Sequence, residues 1–321
     1  MDNKESNITL ASGALAVRAI IVWLLLLLFF AVTTRSEAQT TQSGFATPQE
    51  AAAALIKAAG ENDISSLRVI LGPDGDKLLS TADPVEDRNH LAAFTAAATE
   101  KNSVTINPKN HGQATIIVGK LDWPLPIPLA KRGPKWYFDT KVGRDEILYR
   151  RIGANELDAI QMCYAYAEAQ EEYGLEIHDD SGVNQYAQRI ISSPGKHDGL
   201  AWRNADGSTG GPLGEELAKA IAEGYGNKSH PYHGYYFKVL KGQGPAAPLG
   251  QLDYTIKGAM IGGFALIAWP AQYRVTGVQT FIISYNNVVY QKDQGLDTAK
   301  TPAVIDRYNP DKSWRPTDDR W

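Results

Sequence analysis

The chain has 321 residues, with 32 basic side chains against 36 acidic ones and a formal charge of -4 at neutral pH. Mild acidity without a basic stripe interleaved with aromatics argues against a nucleic-acid partner, because phosphate binding is carried by clustered lysine and arginine. A single cysteine, Cys163, rules out an internal disulfide, and on an apolar helical face it reads as a small buried hydrophobe.

Residues 1–38 read as a signal peptide. Arg18 precedes the apolar run from Ala19 to Val32, and Ser36-Glu37-Ala38 presents small residues at the two positions that signal peptidase reads. A bilayer span needs about 20 apolar residues, so the run is short for a transmembrane helix and fits a secretory core. An uncleaved N-terminal anchor is the alternative and would be the one route to a membrane. The expected location is the periplasm or cell envelope, and the mature chain is long enough for two ordinary domains.

Residues 39–142 form the first expected domain. Thr47-Pro48-Gln49-Glu50 combines a threonine cap, a proline at the first helical position and a capping-box glutamate, so a helix should run through Ala59 to Gly60. A second helix should start at Asn62 or Asp63, bury Ile64, Leu67, Ile70 and Leu71, and end at Gly72-Pro73. Asp83-Pro84-Val85-Glu86 repeats the start signal, with Leu91, Phe94 and Ala98 as the buried stripe of a third helix. Strands are expected at Gln113 to Val118 and Lys135 to Asp139, with the proline-broken Leu125 to Leu129 at an edge. Helices followed by strands make α+β.

Residues 143–310 form the second. A long helix should run from Arg144 to Tyr173 with Leu148, Ile152, Ala159, Cys163, Tyr166 and Tyr173 on one stripe. Gly153 marks a bend, or the helix starts at Ala154; Gly174 is placed to cap its end. Asn184 to Ile191 reads as a short helix, Pro194 to Gly211 as loop, and Pro212 to Tyr225 as an amphipathic helix stopped by Gly226. Strands follow at Tyr232 to Leu240, Asp253 to Lys257, Gly263 to Trp269, Gly277 to Tyr285 and Val288 to Lys292. Asn286-Asn287 suits a two-residue type I′ turn between the last two. Residues 311–321 read as a frayed polar tail whose Trp314 and Trp321 could dock on a partner.

Several motifs occurring in order carry a resemblance. Trp123-Pro124-Leu125-Pro126-Ile127-Pro128, Asn155-Glu156-Leu157-Asp158-Ala159-Ile160, Pro231-Tyr232-His233-Gly234-Tyr235-Tyr236-Phe237, Gln243-Gly244-Pro245-Ala246-Ala247-Pro248 and Met260-Ile261-Gly262-Gly263-Phe264-Ala265 together resemble the exported bacterial family filed as domain of unknown function 2950. That resemblance implies no established activity. The helix bearing Asn155-Glu156 and Ala169-Gln170-x-x-Tyr173, followed by Gly234-Tyr235-Tyr236-Phe237, Tyr254 and a closing hairpin to Tyr290, is similar to the globular bodies of type IV pilin-like proteins. Here, however, the apolar export segment is separated from that helix by a whole domain, so the shape is expected without assembly into a filament. The N-terminal helices and the strand through Lys135-Trp136-x-Phe138 resemble the cone-shaped, ligand-holding nuclear transport factor 2-like group. The expected class is therefore α+β: N-terminal helices with a small curled sheet, then a long helix packed on an antiparallel sheet as in a pilin-like roll.

Candidate chemistry is sparse. His230 and His233 lie three apart beside the sheet entry and could supply zinc ligands with Asp253 or Asp293, but Pro231 prevents a regular helix and no H-E-x-x-H spacing occurs. Capping or loop packing is the competing role for both. His178-Asp179-Asp180 reads as a solvated turn, and Asp74-Gly75-Asp76 lacks the rest of a calcium loop. No Gly-x-Ser-x-Gly elbow is present, and Gly207-Ser208-Thr209-Gly210-Gly211 lacks a phosphate-loop lysine. Among the aromatics that could line a groove are Tyr235 and Trp269. The candidate ligand-binding residues are His230, His233, Tyr235, Trp269 and Asp293; no catalytic, cofactor or metal residue is assigned. The sequence reads as an exported, non-catalytic binding or scaffolding module for a small ligand or an envelope protein. The alternative is a hydrolase or metal-dependent enzyme with a site near His230 and His233.

Overall fold

The computed structural model describes residues 42–179, 181–225 and 230–317. The signal-peptide reading of residues 1–38, the stop at Gly226 and the docking role of Trp321 lie outside the described residues. Helix α1 (Pro48–Gly60) starts where its cap predicts: Thr47 Oγ1 accepts from Glu50 N at 3.1 Å, and Glu50 reaches back to the Ala46 amide. Asp63 caps α2 (Ile64–Leu71), which ends at Gly72, where φ is +73°. A 3₁₀ turn (Pro73–Gly75) and the short α3 (Asp76–Leu79) fill the stretch that the sequence left blank, and α4 (Pro84–Glu100) begins at its Asp83 cap.

The first sheet is antiparallel and joins β1 (Asn102–Ile106), β2 (Gln113–Val118), β4 (Leu129–Arg132) and β5 (Lys135–Phe138) in that order. The two-residue β3 (Trp123–Pro124) pairs with the end of β2. Strand β1 is almost wholly exposed, so no apolar alternation announced it. Leu125 to Pro128 is not strand, and only Leu129 pairs, as the first residue of β4: Leu125 and Ile127 are buried, but alternating prolines remove the amides a ladder needs.

Helix α5 (Thr140–Tyr173) runs unbroken through Gly153, where an added Cβ would meet open space. The expected bend or later start is thereby corrected; an exposed glycine costs helix propensity but creates no gap in packing. Ile147 packs on a hydrophobic cluster built from α1, α2 and the first sheet, while Ala159, Cys163, Tyr166 and Tyr173 belong to a second cluster under the second sheet. Both clusters lie in one compact unit.

Asn184 to Ile191 does not form the expected helix. Its backbone is irregular, with bends at Gln188 and Ile190, because distant partners take its polar groups: Tyr186 N donates to Met260 O, while Ala187 N and O are both bonded by the Gln170 amide. The expected loop from Pro194 to Gly211 holds a small hairpin of β6 (Trp202–Arg203) and β7 (Thr209–Gly210), and α6 (Gly214–Ala222) is shorter at both ends than its pattern suggested.

The second sheet is again antiparallel. It comprises β8 (Tyr235–Leu240), β13 (Ala265–Pro270), β14 (Gln279–Ser284), β15 (Tyr290–Asp293) and β16 (Arg315–Pro316), in the order β16-β15-β14-β13-β8. Between β8 and β13 lie two ribbons of two-residue strands: β9 (Gly242–Gln243) pairs with β10 (Leu252–Asp253), and β11 (Thr255–Ile256) with β12 (Ala259–Met260). The expected strand from Asp253 to Lys257 is thus split, and Lys257 (φ +51°) and Gly258 (φ +89°) turn the second ribbon. Strand β8 starts at Tyr235 instead of Tyr232 because His233 and Gly234 both take positive φ. The β14–β15 hairpin exists, but pairing stops at Ile282 with Tyr290 and only Asn287 is left-handed, so its connection is longer than a two-residue turn. The 3₁₀ segment Gly295–Lys300 and α7 (Thr301–Val304) follow, and residues 311–317 bring Trp314 down as a buried side chain before β16. Helix α5 lies across β13 and β14, so the architecture is α+β, and among the described residues no helix is long and apolar enough to cross a membrane.

Candidate functional site

Helix α5 buries a stripe in which polar residues replace expected apolar ones: Arg151, Asn155 and Gln170 lie among Leu148, Ala159, Cys163 and Tyr166. Arg151 caps α3 by donating to Lys77 O and Leu78 O, both at 2.9 Å. The Asn155 amide donates to Thr276 O at 3.1 Å, and Glu156 Oε1 accepts the amides of Val278 and Gln279, each at 2.9 Å. Asp158 turns to the other side and meets His233.

His233 is the centre of this junction. Its Nδ1 lies 2.7 Å from Asp158 Oδ2 and its Nε2 lies 2.9 Å from Glu223 Oε2, while the ring stacks on Tyr232 with centroids 4.1 Å apart. A neutral imidazole has one N–H, so two carboxylate acceptors call for the doubly protonated ring. Burial pulls its pKa down, but the hydrogen bonds it donates to Asp158 and Glu223, together with the charges of those carboxylates, outweigh burial and raise it.

Asp83, fully buried, closes the junction from the side of α4. Its Oδ1 accepts the amides of Val85 and Glu86, and its Oδ2 accepts the Tyr225 hydroxyl and the Gly234 amide, the last two both at 3.0 Å. Four donors compensate a charge that would otherwise be costly to bury. Gly234 must be glycine: φ is +72°, and a Cβ would stand 2.5 Å from Asn155 Nδ2. One turn into α4, Glu86 is buried with only long contacts, 3.4 Å to Asn155 Nδ2 and 3.7 Å to His90 Nε2. Burial, then the neighbouring Asp83, push its pKa up to about 7 against the opposing pull of Arg151 and His233.

The other sequence candidates lie elsewhere. His230 is exposed. Tyr235 is buried and donates to Gln279 O at 2.9 Å, and Trp269 is half-buried against Tyr236. Asp293 accepts from the Tyr273 hydroxyl and the Gly295 amide, and Asp253 pairs with Arg307. Among the described residues no hydrogen bond, ion pair or ring contact joins His230, Asp253 or Asp293 to His233, and no group of three His, Cys, Asp or Glu side chains is arranged to hold a metal ion. The residues that do surround His233, namely Asp83, Glu86, Asn155, Asp158, Glu223 and Tyr225, were not among the candidate site residues of the sequence, although Asp83 and Glu86 stood in a helix start signal and Asn155 and Asp158 in a family motif. The available signal was the polar interruption of the α5 stripe at Arg151 and Asn155, four residues apart and so on one face.

A second polar site lies at the C-terminal end of α5. A cleft of about 370 Å³ opens beside Tyr173, between the irregular segment carrying Gln185, Tyr186, Gln188 and Arg189 and the link from β8 to β9 at Lys241. Asp198 completes its wall. Tyr173 is fixed there, its hydroxyl donating to His197 O at 2.6 Å and its ring stacked on His178.

Neither the curated proteins nor the solved structures give a significant match to this chain. A family model described as "Protein of unknown function (DUF2950)" matches residues 42–317, which spans both clusters, the His233 junction and the polar cleft. The chain belongs to that family.

Proposed function

We propose that the protein is an exported binding or scaffolding module of the periplasm or cell envelope, without catalytic chemistry of its own. In this reading residues 39–142 and 143–310 act as two domains, the second a helix-on-sheet body of pilin-like shape, and a small ligand or an envelope protein is the partner. The observation that carries it is a contrast between the two polar sites. At the junction His233 and Asp83 are spent on their neighbours: both nitrogens of His233 face carboxylates, and both oxygens of Asp83 accept two donors each. In the cleft beside Tyr173, by contrast, the terminal amino groups of Arg189, the Lys241 ammonium and the Tyr186 hydroxyl have no partner among the described residues.

The test is metal content and thermal midpoint of the purified protein before and after a chelator. A metal held at 100 times its dissociation constant would add about 2.7 kcal/mol, and about 2–4 °C of midpoint accompanies each kcal/mol in a body of this size. The expected result is no stoichiometric metal and an unmoved midpoint. One metal per chain with a chelator-sensitive midpoint would overturn the reading in favour of a metal-dependent enzyme near His230 and His233.

A further inference from the structure

We infer that the cleft at the end of α5 takes a small sugar acid, a ligand with one carboxylate and several hydroxyls; this rests on the binding reading above. The argument is an imbalance of hydrogen-bonding capacity. Arg189 engages only its Nε, 3.4 Å from Asp198 Oδ2, so its two terminal amino groups have no partner among the described residues. The Lys241 ammonium and the Tyr186 hydroxyl have none there either.

The two glutamines are half-used. Gln185 accepts from the Met260 amide at 3.2 Å through Oε1 and keeps its Nε2, whereas Gln188 donates Nε2 to Gly258 O at 2.6 Å and keeps its carbonyl oxygen. Asp198 is the one carboxylate lining the cleft, and it is spent: it accepts from Ser193 N at 2.7 Å, from Ser193 Oγ at 2.9 Å and from Arg189. The seat therefore presents two cations, a hydroxyl, an amide donor and an amide acceptor, with no free anion.

That set discriminates between ligand classes. An amino acid would bring its ammonium beside Arg189 and Lys241 with no carboxylate to balance it. A neutral sugar would leave the Lys241 ammonium without an anion and the terminal amino groups of Arg189 without a bidentate acceptor. A carboxylate satisfies the paired terminal amino groups of a guanidinium in bidentate fashion, and ring hydroxyls, each donor and acceptor, suit the two half-used glutamines. A volume of about 370 Å³ has room for one sugar ring.

The experiment is a titration of the ¹⁵N-labelled full chain with D-glucuronate, D-glucose and L-glutamate, read as amide shifts, alongside the Arg189→Gln variant. Arg189 is largely exposed, and a spectrum of R189Q that overlays the parent's away from the cleft confirms an intact fold. Glucuronate is expected to move the amides around Gln185–Arg189 and Lys241, with glucose and glutamate inactive at the same concentration. R189Q should weaken glucuronate about tenfold. Glucose or glutamate moving the same amides as strongly, or an R189Q affinity equal to the parent's, would overturn the sugar-acid inference and leave the binding reading standing. Shifts confined to another face would also overturn it while keeping that reading. No shift with any of the three would remove both the inference and the cleft's support for a ligand.

Discussion

At the scale of single residues, the chemistry of the junction is proton linkage. Glu86 holds its proton up to about 7 in the fold against an ordinary 4.5, and His233 is likewise raised above its ordinary value. A group whose pKa is raised by folding favours the fold below its unfolded pKa, and this contribution is lost as pH rises through the folded value. Glu86 therefore lowers stability as pH climbs from about 4.5 to about 7, and His233 does so only as pH climbs above its ordinary value of 6.5. For Glu86 the span corresponds to on the order of 3 kcal/mol. Glu86→Gln removes the charge while keeping the shape, so the variant should melt several degrees above the parent at about pH 8 and close to it at about pH 5. Melting curves at the two pH values check this, and parallel pH profiles for parent and variant would show that Glu86 is not the titrating group. The sequence displayed His233 but not its environment. Asp158 lies 75 residues away, and Asp83 lies 151 residues from the Gly234 amide it binds, distances over which no local pattern reports.

At the scale of elements, what was legible followed the range of the interactions. The starts of α1, α2 and α4 were readable because Thr47, Asp63 and Asp83 bond amides two or three residues ahead. The segment from Asn184 to Ile191 was not, because its conformation is set from α5. Gln170, fully buried, donates to Ala187 O at 2.8 Å and accepts Ala187 N at 2.8 Å, as a neighbouring strand would. Such a side chain stands in for a strand at a cost in stability if it is removed. Gln170→Ala leaves a buried N–H and a buried C=O unpaired, so denaturant unfolding should show a loss of about 2–4 kcal/mol. A loss below about 1 kcal/mol would mean that the segment is held by other contacts, such as Tyr186 N to Met260 O. The short β1 and the ribbons between β8 and β13 escaped notice for a different reason: two-residue or exposed strands carry no apolar alternation.

At the scale of the whole body from Gln42 to Thr317, the two hydrophobic clusters are tied at one polar crossing. Helix α5 serves both, and Asp83, Asn155 and Glu156 fasten α4 and α5 to the turn before β8 and to the loop between β13 and β14. Cutting that crossing would strand a buried aspartate, so neither cluster can melt and leave the other's polar groups satisfied. Thermal unfolding should therefore be a single transition, with near-ultraviolet and far-ultraviolet signals coinciding. Two separated transitions would show that the clusters are thermodynamically independent.

The Asp83 cap has a consequence for the order in which the body can be assembled. Synthesis delivers α4 long before Tyr225 and Gly234, the two donors that complete the aspartate's shell. Until they arrive, Asp83 keeps only its own helix amides and must hold water, so α4 cannot bury its first turn. The crossing is then a late closure spanning more than half the described chain, and bringing such distant segments together is what slows folding. A nascent chain stopped before Gly234 would carry an open seam at this spot, and completion of the chain is what seals it.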